Sequence, residues 1–209
     1  MARARAPSRP CGRGGAIENL PLFPLNTVLF PGGRLPLRIF EQRYMEMAKA
    51  CLRDNLPFGV CLIREGAEVL VDGVGEPAVP EDVGCLARLA GWDMPQLGLL
   101  QVTAHGEARF RILERRVQPD GLQRATVQLV DADADAAIPA DCRRCVELLE
   151  RIIEQHGAPG DPAPQLESCS WVSSRLAEIL PLPGDAKQKL LEMTDARQRL
   201  ERINALLSR

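Results

Sequence analysis

From Leu100 to Leu129 apolar and polar residues alternate with a period of two. Leu100, Val102 and Ala104 fall on one side, and Gln101, Thr103 and His105 on the other. Gly106 reads as a turn, after which Phe110 and Ile112 face inward while Arg109, Arg111 and Arg115 face outward. Beyond Pro119-Asp120-Gly121, Ala125, Val127 and Leu129 oppose Arg124, Thr126 and Gln128. This alternation predicts an antiparallel meander with one face in the core and one in water. Phe58–Ile63 is uniformly apolar and reads as a buried strand, and Gly84–Trp92 adds another. Glu68 to Asp82 is punctuated by Gly and Pro, which predicts a loop carrying one short strand.

A different period governs the rest of the chain. Tyr44, Met47, Ala48, Cys51 and Leu52 lie three and four residues apart, the spacing of one buried helical face, so a helix is expected from about Glu41. After about Ala137 the signals are helical throughout. Cys142, Cys145, Leu149, Ile152 and His156 form a stripe stopped by Gly157. A helix is expected from about Gln165 to Leu180. Asp185 with Gln188 has the form of a capping box, and Thr194 or Asp195 can cap a last helix carrying Leu200, Ile203 and Leu207. The expected organisation is a tail over 1–15, a β-rich subdomain over 16–131, an acidic linker over 132–137 and a helical bundle over 138–209.

The segment Leu20–Met47 fits neither period cleanly. Strand-like residues are interrupted by Pro21, Pro24, Pro31 and Pro36, more than a plain central strand tolerates. Composition adds little about chemistry: hydrophobic residues make up 45% of the 209, and the net charge is −2. Four of the 26 basic residues sit in the first thirteen positions, at Arg3, Arg5, Arg9 and Arg13, leaving 22 against 28 acids in the body. That Arg-rich start has no apolar core and reads as a disordered tail, not a secretory signal. No run approaches the ~20 apolar residues of a membrane helix. Seven cysteines, an odd number, with no signal peptide, point to reduced thiols in a cytoplasm.

Taken together, "LPLFPLNTVLFPGGRLPL" with "FEQRYMEM", then "GCLARL", "GEARFRI" and "ILPLPGDAKQKLLEMTDARQRLERINALL", resemble the LON domain, the amino-terminal domain of Lon ATP-dependent proteases. The resemblance covers roughly Leu20 to Leu207. It implies an α+β fold: a PUA-like β pseudo-barrel of mostly antiparallel strands with one helix, followed by a C-terminal helical bundle. In such a barrel prolines suit bends and edges, so the opening stretch is expected to be scaffold. The resemblance also implies a non-catalytic, cytoplasmic polypeptide-binding module tied to ATP-dependent proteolysis, as a stand-alone protein with a Lon-type protease as a possible partner. The ATPase and protease modules of a Lon protease are expected to be missing. None of the three lysines (Lys49, Lys187, Lys189) follows a glycine as in a P-loop, and no serine sits in the Ser–Lys protease motif.

Candidate chemistry is sparse. Cys142-Arg-Arg-Cys145 has the look of half a zinc site, but a zinc signal needs four ligands, and both cysteines lie on an apolar stripe. No metal or cofactor is expected. His105 and His156 have no sequence neighbour that forms a nucleophile pair, so no catalytic residue is assigned. For a polypeptide partner, the candidates are Trp92, Met94 and Pro95, expected at a turn, with Phe30 and Leu35 beside glycines. The alternative is an RNA-binding module using Arg109, Arg111, Arg115 and Arg124 as a phosphate-neutralising stripe.

Overall fold

The computed structural model describes residues 15–68, 77–157 and 163–208. All but the last residue of the Arg-rich tail, and half of the Gly/Pro-punctuated loop, lie outside them. Among the described residues seven strands come first: β1 (Ala16–Leu25), β2 (Arg34–Ile39), β3 (Phe58–Glu65), β4 (Val79–Pro80), β5 (Val83–Gln96), β6 (Leu99–Val117) and β7 (Gln123–Leu129). One helix, α1 (Gln42–Asp54), interrupts them between β2 and β3. Four helices follow: α2 (Arg143–His156), α3 (Cys169–Ile179), α4 (Gly184–Glu192) and α5 (Ala196–Leu206), with a short 3-10 turn at Ala140–Cys142.

Strand pairing returns to its starting point. β1 pairs with β7, β7 with β6, β6 with β5, β5 with β3, and β3 again with β1. The β1–β3 pair is parallel and the other named pairs are antiparallel. β2 adds to β6 outside this ring, and β4 adds to β3. Leu20, Leu22, Cys61, Leu86, Phe110, Ala125 and Val127 form one buried cluster shared by these strands. The period-2 pattern of β7 therefore had its inward residues correctly assigned, with Ala125 and Val127 buried.

The prolines sit where hydrogen bonding is one-sided. Residues up to Leu22 of β1 register with β7, and those from Leu22 onward with β3, so among the described residues Pro21 faces Arg124 alone and Pro24 faces Cys61 alone. Pro36 lies in β2, whose one partner among the described residues is β6. A strand with a single hydrogen-bonded side can give up an N–H without breaking a ladder.

Gly106 is not a turn. β6 runs unbroken through it for 19 residues. The absence of a Cβ serves close approach instead: any side chain there would overlap the Phe30 carbonyl. The Gly32 N–H donates to the Gly106 carbonyl (2.8 Å), and the Gly106 N–H donates to that of Gly33 (2.9 Å). Periodicity alone cannot separate a glycine that turns from one that lets another segment in.

α1 buries Tyr44, Met45, Met47, Ala48 and Cys51 and ends at Asn55 in the left-handed region. The Tyr44 ring stacks on Phe23 with centroids 4.2 Å apart, which fixes the helix to β1. The C-terminal helices share a second large cluster with Val28, Phe30, Leu62 and Val83 from the strand half. α3 is its centre and packs against α2, α4 and α5. It begins four residues later than expected because Ser168 caps it, its hydroxyl accepting from the Trp171 N–H at 3.0 Å. Asp195 caps α5 as expected, accepting from the Arg197 and Gln198 N–H groups. The capping box on α4 does not form. Gln188 is buried and donates to the Val83 carbonyl (3.0 Å) and to Glu192 (2.9 Å), tying α4 to the sheet.

The acidic segment after β7 is the seam between the two halves. The Asp133 carboxylate pairs with Arg109 of β6 through one oxygen and with Arg199 of α5 through the other. Asp135 accepts from the Ser168 hydroxyl at 2.9 Å. Ala134 and Ala137 make single bridges to Asp195 and Ser168.

Candidate functional site

Beyond Ala87 the register of β5 is, among the described residues, with β6 alone, so the two strands project as a hairpin arm. The arm closes on a two-residue turn, Leu97-Gly98, with Gly98 at φ 85°, a conformation that favours glycine. Trp92, Met94 and Pro95 therefore lie in the strand leading to the tip, five residues and fewer before the turn, and not at the turn itself. β2 flanks the other side of β6, with Leu35 opposite Ala104 and Leu37 opposite Val102.

A bulge decides where Trp92 points. Leu89 faces Ala104 and Ala90 faces Thr103, but the next pair is Trp92 with Val102, the register slipping at Gly91. Cross-strand partners share a face. Leu89 and Trp92, three residues apart, thus stand on the same side as Ala104 and Val102, which an unbulged strand would forbid. That side holds a groove of about 880 Å³ whose walls include Phe23 and Leu25 of β1, Leu35 and Leu37 of β2, Val102 of β6 and Trp92. Asn26, Thr27, Arg38, Glu68, Asp93 and Gln101 supply a mixed polar rim. Trp92 is 64% exposed, Met94 38% and Leu97 98%. Large apolar side chains held this open on a hairpin can be covered by a partner.

The other sequence-predicted residues are distributed differently. Leu35 is half-buried in the groove wall. Phe30 is 1% exposed and sits in the cluster that joins strands to helices, so it contributes no binding surface. Its glycine neighbours serve the packing against β6 described above.

The four arginines do not form one stripe. Arg109 is on the outer face of the strands but is covered by α4 and α5, with 4% exposure. It donates to the Leu191 carbonyl (3.0 Å) and pairs with Asp133. Burial works against its charge while Asp133 supports it. A further bulge, between Ile112 and Glu114, then changes the phase of β6. Arg115 consequently faces Ala125 and donates to Gln123 (2.8 Å), whereas Arg116 faces Arg124. Arg116 and Arg124 both donate to Asn19, and only Arg111 of the original three remains exposed on the expected face. Sequence alternation missed Arg116 because a bulge adds a residue without a sequence signal.

Cys142, Cys145 and Cys169 are buried among the helices. Burial pushes the Cys142 thiol up to about 11, away from the thiolate that a metal or a nucleophile requires. His156 is exposed at the end of α2, and His105 is half-buried within β6. Among the described residues no helix is long and apolar enough to cross a membrane.

The chain has relatives among known proteins. Residues 19–209 match the family model described as the ATP-dependent protease La (LON) substrate-binding domain. A Lon N-terminal domain protein from Xanthomonas campestris has the same fold, with a TM-score of 0.72 and 34% identity over 90% of this chain and 98% of that one. The N-terminal domain of a Mycobacterium avium complex Lon protease superposes with a TM-score of 0.60 at 19% identity, covering 91% of this chain and 98% of that one, a likeness of fold. Lon protease 2 of Myxococcus xanthus is 26% identical over 219 residues, spanning all of this chain and 26% of the relative's length. The chain thus spans about a quarter of the curated Lon proteases it matches. It belongs to the LON substrate-binding domain family.

Proposed function

We propose that the chain is a polypeptide-binding module that receives unfolded or flexible segments in the groove beneath the β5–β6 arm. We read the closed run of strands as a PUA-like pseudo-barrel over residues 16–131 and the helices over 138–209 as the bundle that braces it. Binding rather than catalysis is the role, with recognition or adaptor work for ATP-dependent proteolysis and a Lon-type protease as partner. The observation that carries this reading is Trp92: large, aromatic and mostly exposed, it stands on a bulged strand over an apolar groove. An aromatic side chain offers a large contact area and is enriched among the residues that dominate binding. The outer margins of the arm and of β2 register with no strand other than β6 among the described residues, so an extended segment can add to either by backbone hydrogen bonds. The rim carries both signs of charge, which favours no single charge type in the bound chain.

The test is titration of a fluorescein-labelled, reduced and alkylated polypeptide, and of a single-stranded RNA, at low and high salt. Polypeptide binding that persists in high salt and weakens about tenfold or more in Trp92→Ala supports the groove. RNA binding that falls steeply with salt and is lost in Arg111→Ala/Arg116→Ala would replace it.

A further inference from the structure

Along α2 runs a trough of about 690 Å³ that shares no lining residue with the groove beneath the arm. Its floor is apolar: Ile138, Val146 and Leu166 are half-buried and pack on the helical cluster. Its rim is acidic. Glu147 and Glu150 stand on α2 and Glu167 just before α3, all three exposed, and Arg143 is the one basic residue lining it. Among the described residues none of the three glutamates has an ion-pair partner. A neighbouring hollow of about 620 Å³ shares Ala137, Leu166 and Glu167 with the trough and extends it to Asp135.

The chain carries a segment of the opposite charge at the Asp135 end. Residues 1–14 hold Arg3, Arg5, Arg9 and Arg13 and no acid, whereas the remainder has 22 bases against 28 acids. The segment joins the fold at Gly15, whose carbonyl accepts from the Leu129 N–H (3.3 Å). Leu129 and Asp135 are six residues apart, at most about 22 Å, and fourteen residues span up to about 50 Å, so the trough is within reach. A surface ion pair is weak by itself, but a tether holds its partner at a millimolar effective concentration. Alanines and prolines between the arginines suit a shallow apolar floor, and a segment too polar to bury itself can order against a matching surface.

We propose that residues 1–14 of this same chain dock along the trough, their arginines against Asp135, Glu167, Glu147 and Glu150 and the residues between them over Ile138, Val146 and Leu166. The trough is separate from the polypeptide groove, and the proposal does not rest on that reading. Seated there, the segment covers the apolar floor. Salt releases it, because the Debye length of ~8 Å at physiological ionic strength falls to ~3 Å at 1 M.

The experiment uses the full chain, nitrogen-15 labelled, with a nitroxide attached at Cys11. The six other cysteines are buried, which directs the reagent to Cys11. At low salt the amide signals of Ile138, Glu147 and Glu167 should lose about half of their intensity or more relative to the reduced nitroxide, as a millimolar effective concentration allows. The Trp92 indole signal should keep its intensity, and about 1 M sodium chloride should restore the others. Glu147→Gln/Glu150→Gln/Glu167→Gln, at three exposed positions, should abolish the loss while the rest of the spectrum stays that of the folded chain. No loss at low salt, an even loss over the whole surface, or a loss that survives high salt or the triple substitution would each overturn the proposal. In a mixture of nitroxide-bearing chains without nitrogen-15 and labelled chains without nitroxide, unchanged signals support docking within one chain. A loss there would give the trough to the segment of a second copy and overturn it.

Discussion

The arm and the seam invert the usual placement of residues in opposite ways. On the arm, Trp92, Met94 and Leu97 are large and apolar yet face solvent. At the seam, Arg109 and Arg199 are charged yet buried, both paired with Asp133. Each inversion has its own physical reason. Exposed apolar surface on the hairpin is unburied in the folded chain and is available to a partner. Buried charge is tolerated only when paired and hydrogen bonded, so it records an internal contact that must be complete. The arm is therefore where binding should respond to mutation, and the seam where stability should.

The sharpest way to break this contrast is Asp133→Ala. It leaves Arg109 and Arg199 buried without their shared carboxylate. A loss of about 3–5 kcal/mol in urea unfolding is expected. A loss near zero would mean that the seam is open to water, and the contrast with the arm would fail.

Glu178 gives the next effect, and it depends on pH. Its carboxylate accepts from the Phe30 N–H (3.2 Å) and pairs with Arg175 (3.3 Å), tying α3 to the 30–33 segment. Burial, opposed by Arg175, the Phe30 N–H and Lys187, raises its carboxyl from 4.5 to about 7. Between those values the folded chain holds a proton that the unfolded chain has released, so stability falls as pH rises through the window and levels off above about 7. Glu178→Gln should flatten that fall, which is of order 3 kcal/mol. Unfolding curves for both chains from pH 4.5 to 8 decide it, and parallel pH profiles would sink the assignment.

Gly106→Ala should cost about 1–3 kcal/mol by forcing Phe30 and Gly33 off β6, measured by thermal or urea unfolding. Trp92→Ala is the smallest in stability and the most informative in function. Its unfolding free energy should stay within about 0.5 kcal/mol of the parent, while polypeptide affinity drops about tenfold or more by fluorescence anisotropy. Equal affinity with unchanged stability would remove Trp92 from the binding surface.

Much of the architecture was readable where local rules suffice. β7 and α1 obey their periods because each has one face in water and one in the core, and Asp195 caps α5 through neighbours two and three residues away. Trp92 and Leu35 were legible as candidates by residue type, but their shared groove was not. Phe30 and Arg109 look like surface residues from local spacing. Each is buried by a segment more than eighty residues away: Phe30 beneath the α3 region, Arg109 beneath Leu191 and Met193.

What the sequence by itself determined is the family and those elements that obey local rules, such as β7, α1 and α5, because these rest on ordered motifs, periodicity and capping. Only the tertiary structure decided which face each side chain takes. Bulges at Gly91 and beyond Ile112 shift the phase of β5 and β6 by one residue. One such shift moves a side chain to the opposite face of the strand. Helices returning from the C-terminal half then cover one outward face and leave another open, a result of packing between distant segments that no local pattern encodes.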